Sequence, residues 1–391
     1  MDQYAYDIER EKIKFFISTF AGAFSTGIFF YSINNFLVDV YGVTADQRGV
    51  IEFFREMPGM LLFLFLAPLS RFRETLILLA ALVIVAVGIT GCAFSPDILH
   101  VTFWLFIWSV GAHFAIILRE SFCVALSNEN DRGRMFGFVR SLRSLGTVAG
   151  AGVIWIGMEY LDAGYRGLYI LAAGMAILAA MASFFMRDSA HTGIRRRAFL
   201  IRKRYMLFYA LALLFGVRKQ LFLVFGPWIL IKVFHQDAPQ MAKLAILSAI
   251  TGFFVKPWLG RAIDRFGERK TLMADAVLLF FICVVYAFAE SMLPATIVLP
   301  VLFVCYIMDD SLFSLRSAHV TYLSKIVKSP DELTVSISTS YSIEHVVSMI
   351  APPVAGVVWI TYGYQWVFGA AAMTALFMFA VSSIIPEKKG Q

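Results

Sequence analysis

Twelve stretches of about twenty predominantly apolar residues run through this chain, and a helix of that length spans the ~30 Å of bilayer hydrocarbon at 1.5 Å per residue. Six fall in the first half, at 15–38, 49–69, 75–94, 101–124, 136–158 and 168–185. Six more follow at 206–231, 241–259, 272–289, 295–317, 333–360 and 367–385. Composition agrees, with 59% apolar and 16% charged residues and a mean hydropathy of +0.74. Soluble domains are about 25% charged and cannot hide so many large apolar side chains. The expected fold is an all-α integral membrane protein of twelve transmembrane helices. Cys92, Cys123, Cys283 and Cys305 all lie inside apolar runs. They lack the short paired spacing of a metal site or disulfide framework and read as small buried hydrophobes.

The net charge of +7 forms no single stripe or patch, so it points to membrane topology instead of nucleic acid. With the N-terminus inside, the tails and the even-to-odd loops hold 22 Lys and Arg residues. The opposite face holds four: Arg48, Arg166, Lys232 and Lys243. Both termini are therefore expected on the cytoplasmic side. The mixed-charge segment Met1–Lys14 runs into an apolar stretch too long for a signal-peptide core, so the first helix is expected to be retained.

The longest polar connection, Arg187 to Arg204, carries two basic clusters at mid-chain. It divides the chain into an N-terminal six-helix bundle (1–186), a basic cytoplasmic linker (187–204) and a C-terminal six-helix bundle (205–391). Internal similarity supports a duplication. Leu118-Arg119 recurs as Leu315-Arg316 at an offset of 197, and Ala151-Gly152-Val153 recurs as Ala355-Gly356-Val357 at an offset of 204. Ser70-Arg71-Phe72 similarly recurs as Asp264-Arg265-Phe266, 194 residues on. Parallel six-helix repeats around a central path allow a transporter to alternate between two faces.

Between spans 8 and 9 lies Gly260-Arg261-Ala262-Ile263-Asp264-Arg265-Phe266-Gly267-Glu268-Arg269-Lys270. Its pattern, G-x-x-x-D-R-x-G-x-R-K, resembles the loop signature of the major facilitator superfamily. The twelve spans, basic linker and repeat extend that resemblance over the whole chain. It implies two pseudo-symmetric bundles rocking about a central site, with Gly260, Asp264, Arg265, Gly267, Arg269 and Lys270 as a cytoplasmic gating motif. The plainer reading is a basic loop that fixes topology. The first-half copy departs from the pattern, with Leu66, Ser70 and Arg73 at the Gly, Asp and Gly positions. In span 5, Gly146-x-x-x-Gly150-x-Gly152 permits close helix packing. Pro352-Pro353 in span 11 suggests a kink.

Ionisable groups at membrane depth are costly and mark functional sites. Arg218-Lys219 and Asp309-Asp310 lie near the midpoints of spans 7 and 10, which the resemblance assigns to the cavity together with spans 1 and 4. One coupled network is expected, with Asp309 and Asp310 taking up the proton and a released basic partner meeting the substrate. His113, Arg119 and Arg316 add further candidate substrate contacts, as do Tyr31 and Asn34 in span 1. Arg119 and Arg316 could otherwise be anchors snorkelling to headgroups, and His113 and His345 could simply hydrogen-bond other helices. Glu52, Arg55 and Glu56 are spaced to pair within span 2.

No nucleophile elbow, phosphate-binding loop or metal-ligand pairing accompanies these groups, so neither enzyme chemistry, cofactor nor metal is expected. The expectation is a monomeric secondary transporter of a small anionic or zwitterionic organic solute, driven by protons and placed in a bacterial inner membrane among its lipids. The alternatives are proton-driven efflux of amphipathic compounds, lipid flipping, or a non-transporting scaffold or sensor.

Overall fold

The computed structural model describes residues 2–69, 72–128, 131–187 and 200–386. Ser70, Arg71, most of the basic linker and the end of the C-terminal tail lie outside the described residues. The described chain is helical with no strand. In order, the helices are α1 (Asp2–Tyr41), α2 (Ala45–Leu69), α3 (Glu74–Ala93), α4 (Ile98–Ala125), α5 (Arg132–Tyr160) and α6 (Tyr165–Phe184). The second series is α7 (Met206–Lys232), α8 (Ala238–Met292), α9 (Ala295–Leu312), α10 (Arg316–Ile326), α11 (Pro330–Tyr362) and α12 (Tyr364–Ser383).

These helices do not map one to one onto the sequence spans. α8 has 55 residues and runs through spans 8 and 9. It breaks at Gly267, where φ is +79° and ψ is 167°, a conformation open to glycine at little cost. Span 10 is instead divided: a 3-10 turn at Phe313–Leu315 separates α9 from α10. Among the described residues, nine helical segments are long and apolar enough to cross a bilayer, and the 55-residue one is long enough for two passes. α2 and α5, which contain the charged Glu52, Arg55, Glu56, Arg140 and Arg143, are not among the nine.

The chain forms two compact units. The first comprises 1–42, 54–196 and 237–246, and the second 43–53, 197–236 and 247–391. In the first unit α1 packs on α5 and α6, while α3 packs on α4 and α6. Its core includes Phe15, Leu78, Leu82, Leu118 and Phe122. Gly146 and Gly150 let α5 meet α1 backbone to backbone: a Cβ on Gly150 would lie 2.5 Å from the Phe24 carbonyl oxygen, and one on Gly146 2.7 Å from that of Phe20. Gly152 faces open space. The first turns of α8 belong to this unit, where Lys243 pairs with Glu159 of α5 at 2.5 Å.

In the second unit α7 packs against α11 and α12. Phe225 and Trp228 of α7 are fully buried, and Tyr286 stacks on Phe368 at 4.8 Å between centroids. The first turns of α2 belong here. Arg48 pairs with Glu52 one turn away at 2.9 Å, and Gln220 of α7 donates to the same carboxylate. Arg48 is thus a buried ion-pair partner on α2 and not an exposed loop cation. All four cysteines are buried and unpaired.

Candidate functional site

A buried charge cluster lies in the second unit. Arg218 of α7 is 1% exposed because the residues around it on the helix, Phe215, Leu221 and Phe222, are themselves buried. Its guanidinium donates to Asp275 Oδ2 at 2.8 Å and to Asp309 Oδ1 at 3.1 Å. One cation therefore faces two carboxylates supplied by α8 and α9. The Asp275 side chain is 2% exposed and that of Asp309 14%. Asp275 Oδ1 is buried and meets no donor among the described residues.

A second group adjoins it in sequence. Asp310 accepts from Lys256 Nζ and from Ser248 Oγ, both at 3.0 Å and both from α8. The Asp310 and Lys256 side chains are 46% and 40% exposed, so this pair contributes little to stability. Adjacent aspartates on a helix point about 100° apart, which sends one to α7 and the other to α8. Lys219, a candidate for the same network, stands outside it. It is half-buried, with no hydrogen-bond or ion-pair partner among the described residues, because α7 turns Arg218 toward the carboxylates instead.

Arg316 is likewise engaged. It binds both oxygens of Glu344, at 2.7 and 2.9 Å, and donates to the Tyr341 hydroxyl at 3.1 Å. Its guanidinium also lies 4.3 Å from the Tyr341 ring centroid. One nitrogen, Nη2, makes both carboxylate contacts, so Arg316 is held by a charge-assisted ion pair instead of snorkelling to headgroups.

In the first unit, Arg119 of α4 is 7% exposed and has no hydrogen-bond or ion-pair partner among the described residues. His113 shares Nδ1 with the Ser109 carbonyl at 2.9 Å and the Ser109 hydroxyl at 3.1 Å. Tyr31 and Asn34 lie half-buried on α1. Arg55 and Glu56 of α2 pair at 2.5 Å.

The loop motif sits at the break in α8. Asp264 is exposed and forms no ion pair among the described residues, and Arg265 lies over the ring of Phe266 at 5.4 Å. Gly267 makes the turn, while Gly260 faces open space. Arg269 and Lys270 follow on the next leg, half-buried and exposed respectively. The buried contact here is made by Glu268, which pairs with Lys325 of α10 at 2.5 Å. Glu268, Asp275 and Lys256 are not among the candidates that the sequence suggests. Asp275 and Lys256 nevertheless carry a usable signal there, being ionisable residues inside apolar runs.

The sequence model of the Major Facilitator Superfamily matches residues 15–325, well over half of the chain. The chain belongs to this superfamily. As a member it is a multi-pass membrane protein and a secondary transporter, not an enzyme. Solved structures carry the same fold at low identity. A single-residue mutant of the nucleoside transporter NupG superposes with a TM-score of 0.80 at 13% identity, covering 96% of this chain and 100% of its own. A D-xylose-proton symporter gives 0.70 at 15% identity, covering 97% and 98%. A bacterial homolog of the human lysosomal transporter Spinster, inward-facing and occupied, gives 0.69 at 12%, covering 97% and 96%. A search of curated protein sequences finds no match.

Proposed function

We propose that this facilitator moves a small organic solute bearing a negative group, anionic or zwitterionic, by alternating access driven by protons. The charge count at Arg218 is the main support. One buried guanidinium meets two carboxylates, and one carboxylate oxygen, Asp275 Oδ1, lacks a donor among the described residues. A group so placed in low dielectric is costly as an anion, and a proton removes the surplus charge. Protonation of Asp309 or Asp275 loosens the hold on Arg218, and that change is the coupling step. Arg119 in the first unit and Lys219 in the second, each without an internal partner among the described residues, are the cations that each unit leaves for a negative group, and His113, Tyr31 and Asn34 are further polar candidates in the first unit. Arg316 enters only when Glu344 releases it.

The charge distribution supports the orientation, and the remaining assignments complete the proposed reading. Both termini face the cytoplasm, the halves 1–186 and 205–391 are joined by the basic segment 187–204, and the membrane is a bacterial inner membrane. The chain works as a monomer, and the gating motif Gly260–Lys270 acts at the break in α8. The xylose–proton symporter among the structural neighbours supports the choice of coupling ion, and no neighbour selects the solute. A thermal-stability screen of purified protein against carboxylates, phosphate esters and amino acids at two pH values identifies the ligand. Uptake of that ligand into proteoliposomes under an imposed pH gradient then tests the function. Accumulation that collapses with the gradient is expected. Binding without any flux would identify a sensor, and gradient-independent equilibration a uniporter.

A further inference from the structure

An arginine that is 7% exposed, at membrane depth, with no acid and no carbonyl among the described residues to receive its donors, is a costly feature for a fold to keep. Arg119 is such a residue. Its neighbours on the helix, Leu118 and Phe122, each 1% exposed, seat α4 firmly, so the side chain is held in place and not stranded at a frayed end. The guanidinium lies directly on α1 at Gly22. A Cβ built there would overlap one of its terminal nitrogens, so the missing side chain at position 22 makes the space that the guanidinium occupies. The charge acting on Arg119 comes from Arg143 of α5 and is of the same sign. Glu120 is the nearby acid, but it is exposed and forms an ion pair with neither arginine among the described residues. The first unit therefore holds two neighbouring guanidiniums with unused donors, at a place cleared for one of them by a glycine.

We propose that Arg119, seated against Gly22, and Arg143 form a binding site for the carboxylate or phosphate oxyanion of a small soluble ligand, and that this is the substrate's anchoring point in the first unit. Guanidinium donors match the planar geometry of an oxyanion two at a time, and two such forks favour a doubly charged group. The inference rests on the transporter reading only in naming the ligand as substrate. The same oxyanion chemistry is present in anionic lipid headgroups, and the experiment separates the two sources.

The test is thermal unfolding of the purified full chain in neutral detergent, titrated with inorganic phosphate or succinate against chloride of matched ionic strength. Wild type, Arg119→Gln, Arg143→Gln and the charge-matched surface control Arg134→Gln are compared. A ligand held by the native state raises the midpoint, here by about 2 °C or more at saturation. The shift is expected in wild type and Arg134→Gln, reduced in Arg143→Gln and lost in Arg119→Gln. Without ligand, Arg119→Gln should be at least as stable as wild type, because it removes an unpaired buried charge. A structural arginine predicts the reverse.

A shift retained in Arg119→Gln, no shift in wild type, or a lower ligand-free midpoint in Arg119→Gln would each overturn the proposal. So would a response, dependent on Arg119, to phosphatidylglycerol alone and not to the soluble anions. Gradient-driven flux is measured separately, so an anion site without proton coupling, or coupling without the anion site, is read as such.

Discussion

Arg218 balances two carboxylates with one charge, so removing the cation and removing either acid have consequences of different kinds. Arg218→Gln leaves Asp275 and Asp309 buried without a counter-ion, a loss expected to cost about 3–5 kcal/mol. Asp275→Asn and Asp309→Asn remove only the surplus acid and should fold. The combination Arg218→Gln with both Asn substitutions should recover most of the stability, since an absent cluster costs less than a broken one. Thermal unfolding in detergent checks the series, and strictly additive losses would show that the three do not act together. Lys219→Ala is expected to leave stability within about 0.5 kcal/mol of wild type, as for a residue with no partner to strand. Part of this site is legible in the sequence. Opposite charges on spans 7 and 10 place Arg218 with Asp309, but nothing in the chain's order says that position 275 lies against position 218. Hydropathy shows that a residue is at membrane depth; it does not show which neighbouring helix fills the space opposite.

At the level of single helices, the apolar runs give approximate positions, whereas continuity is hidden in them. The break of α8 at Gly267 and the division of span 10 by a 3-10 turn both depend on backbone angles that hydropathy does not report. Close packing of α5 on α1 is legible in the glycine spacing, and it yields a direct contrast. Gly150→Ala forces a Cβ to within 2.5 Å of the Phe24 carbonyl oxygen, so α5 must shift, at about 1–3 kcal/mol. Gly152→Ala meets nothing within 4 Å and should be tolerated. Unfolding midpoints of the two variants decide between packing and mere small-residue composition. The start of α4 offers a pH-dependent test. Asp97 caps that helix, accepting from the backbone N–H groups of Leu99 and His100 at 2.9 and 3.0 Å. The His100 backbone bond, followed by the His100 ring, holds its carboxyl below the ordinary 3.8. A depressed acid stabilises the fold above its unfolded value and loses that contribution as pH falls toward its folded one. Protection of the first-turn amides of α4, taken relative to their intrinsic exchange rates, should therefore fall below about pH 4 in wild type, and should lack that pH step in Asp97→Asn.

For the molecule as a whole, membership of the superfamily supplies the machinery of alternating access, while the chemistry of coupling is this chain's own. In the scheme proposed above the proton and the solute address different residues: Asp309 and Asp275 take the proton, and cations without an internal partner among the described residues meet the solute. Two modes of transport in the same proteoliposomes, measured with the solute found by the stability screen, separate these roles. Wild type should both exchange the solute across the membrane and accumulate it under a pH gradient. Asp309→Asn and Asp275→Asn should keep exchange, which needs no net proton movement, and at least one of them should lose accumulation. Undiminished gradient-driven accumulation in both single variants and in the double variant would mean that neither aspartate carries the proton.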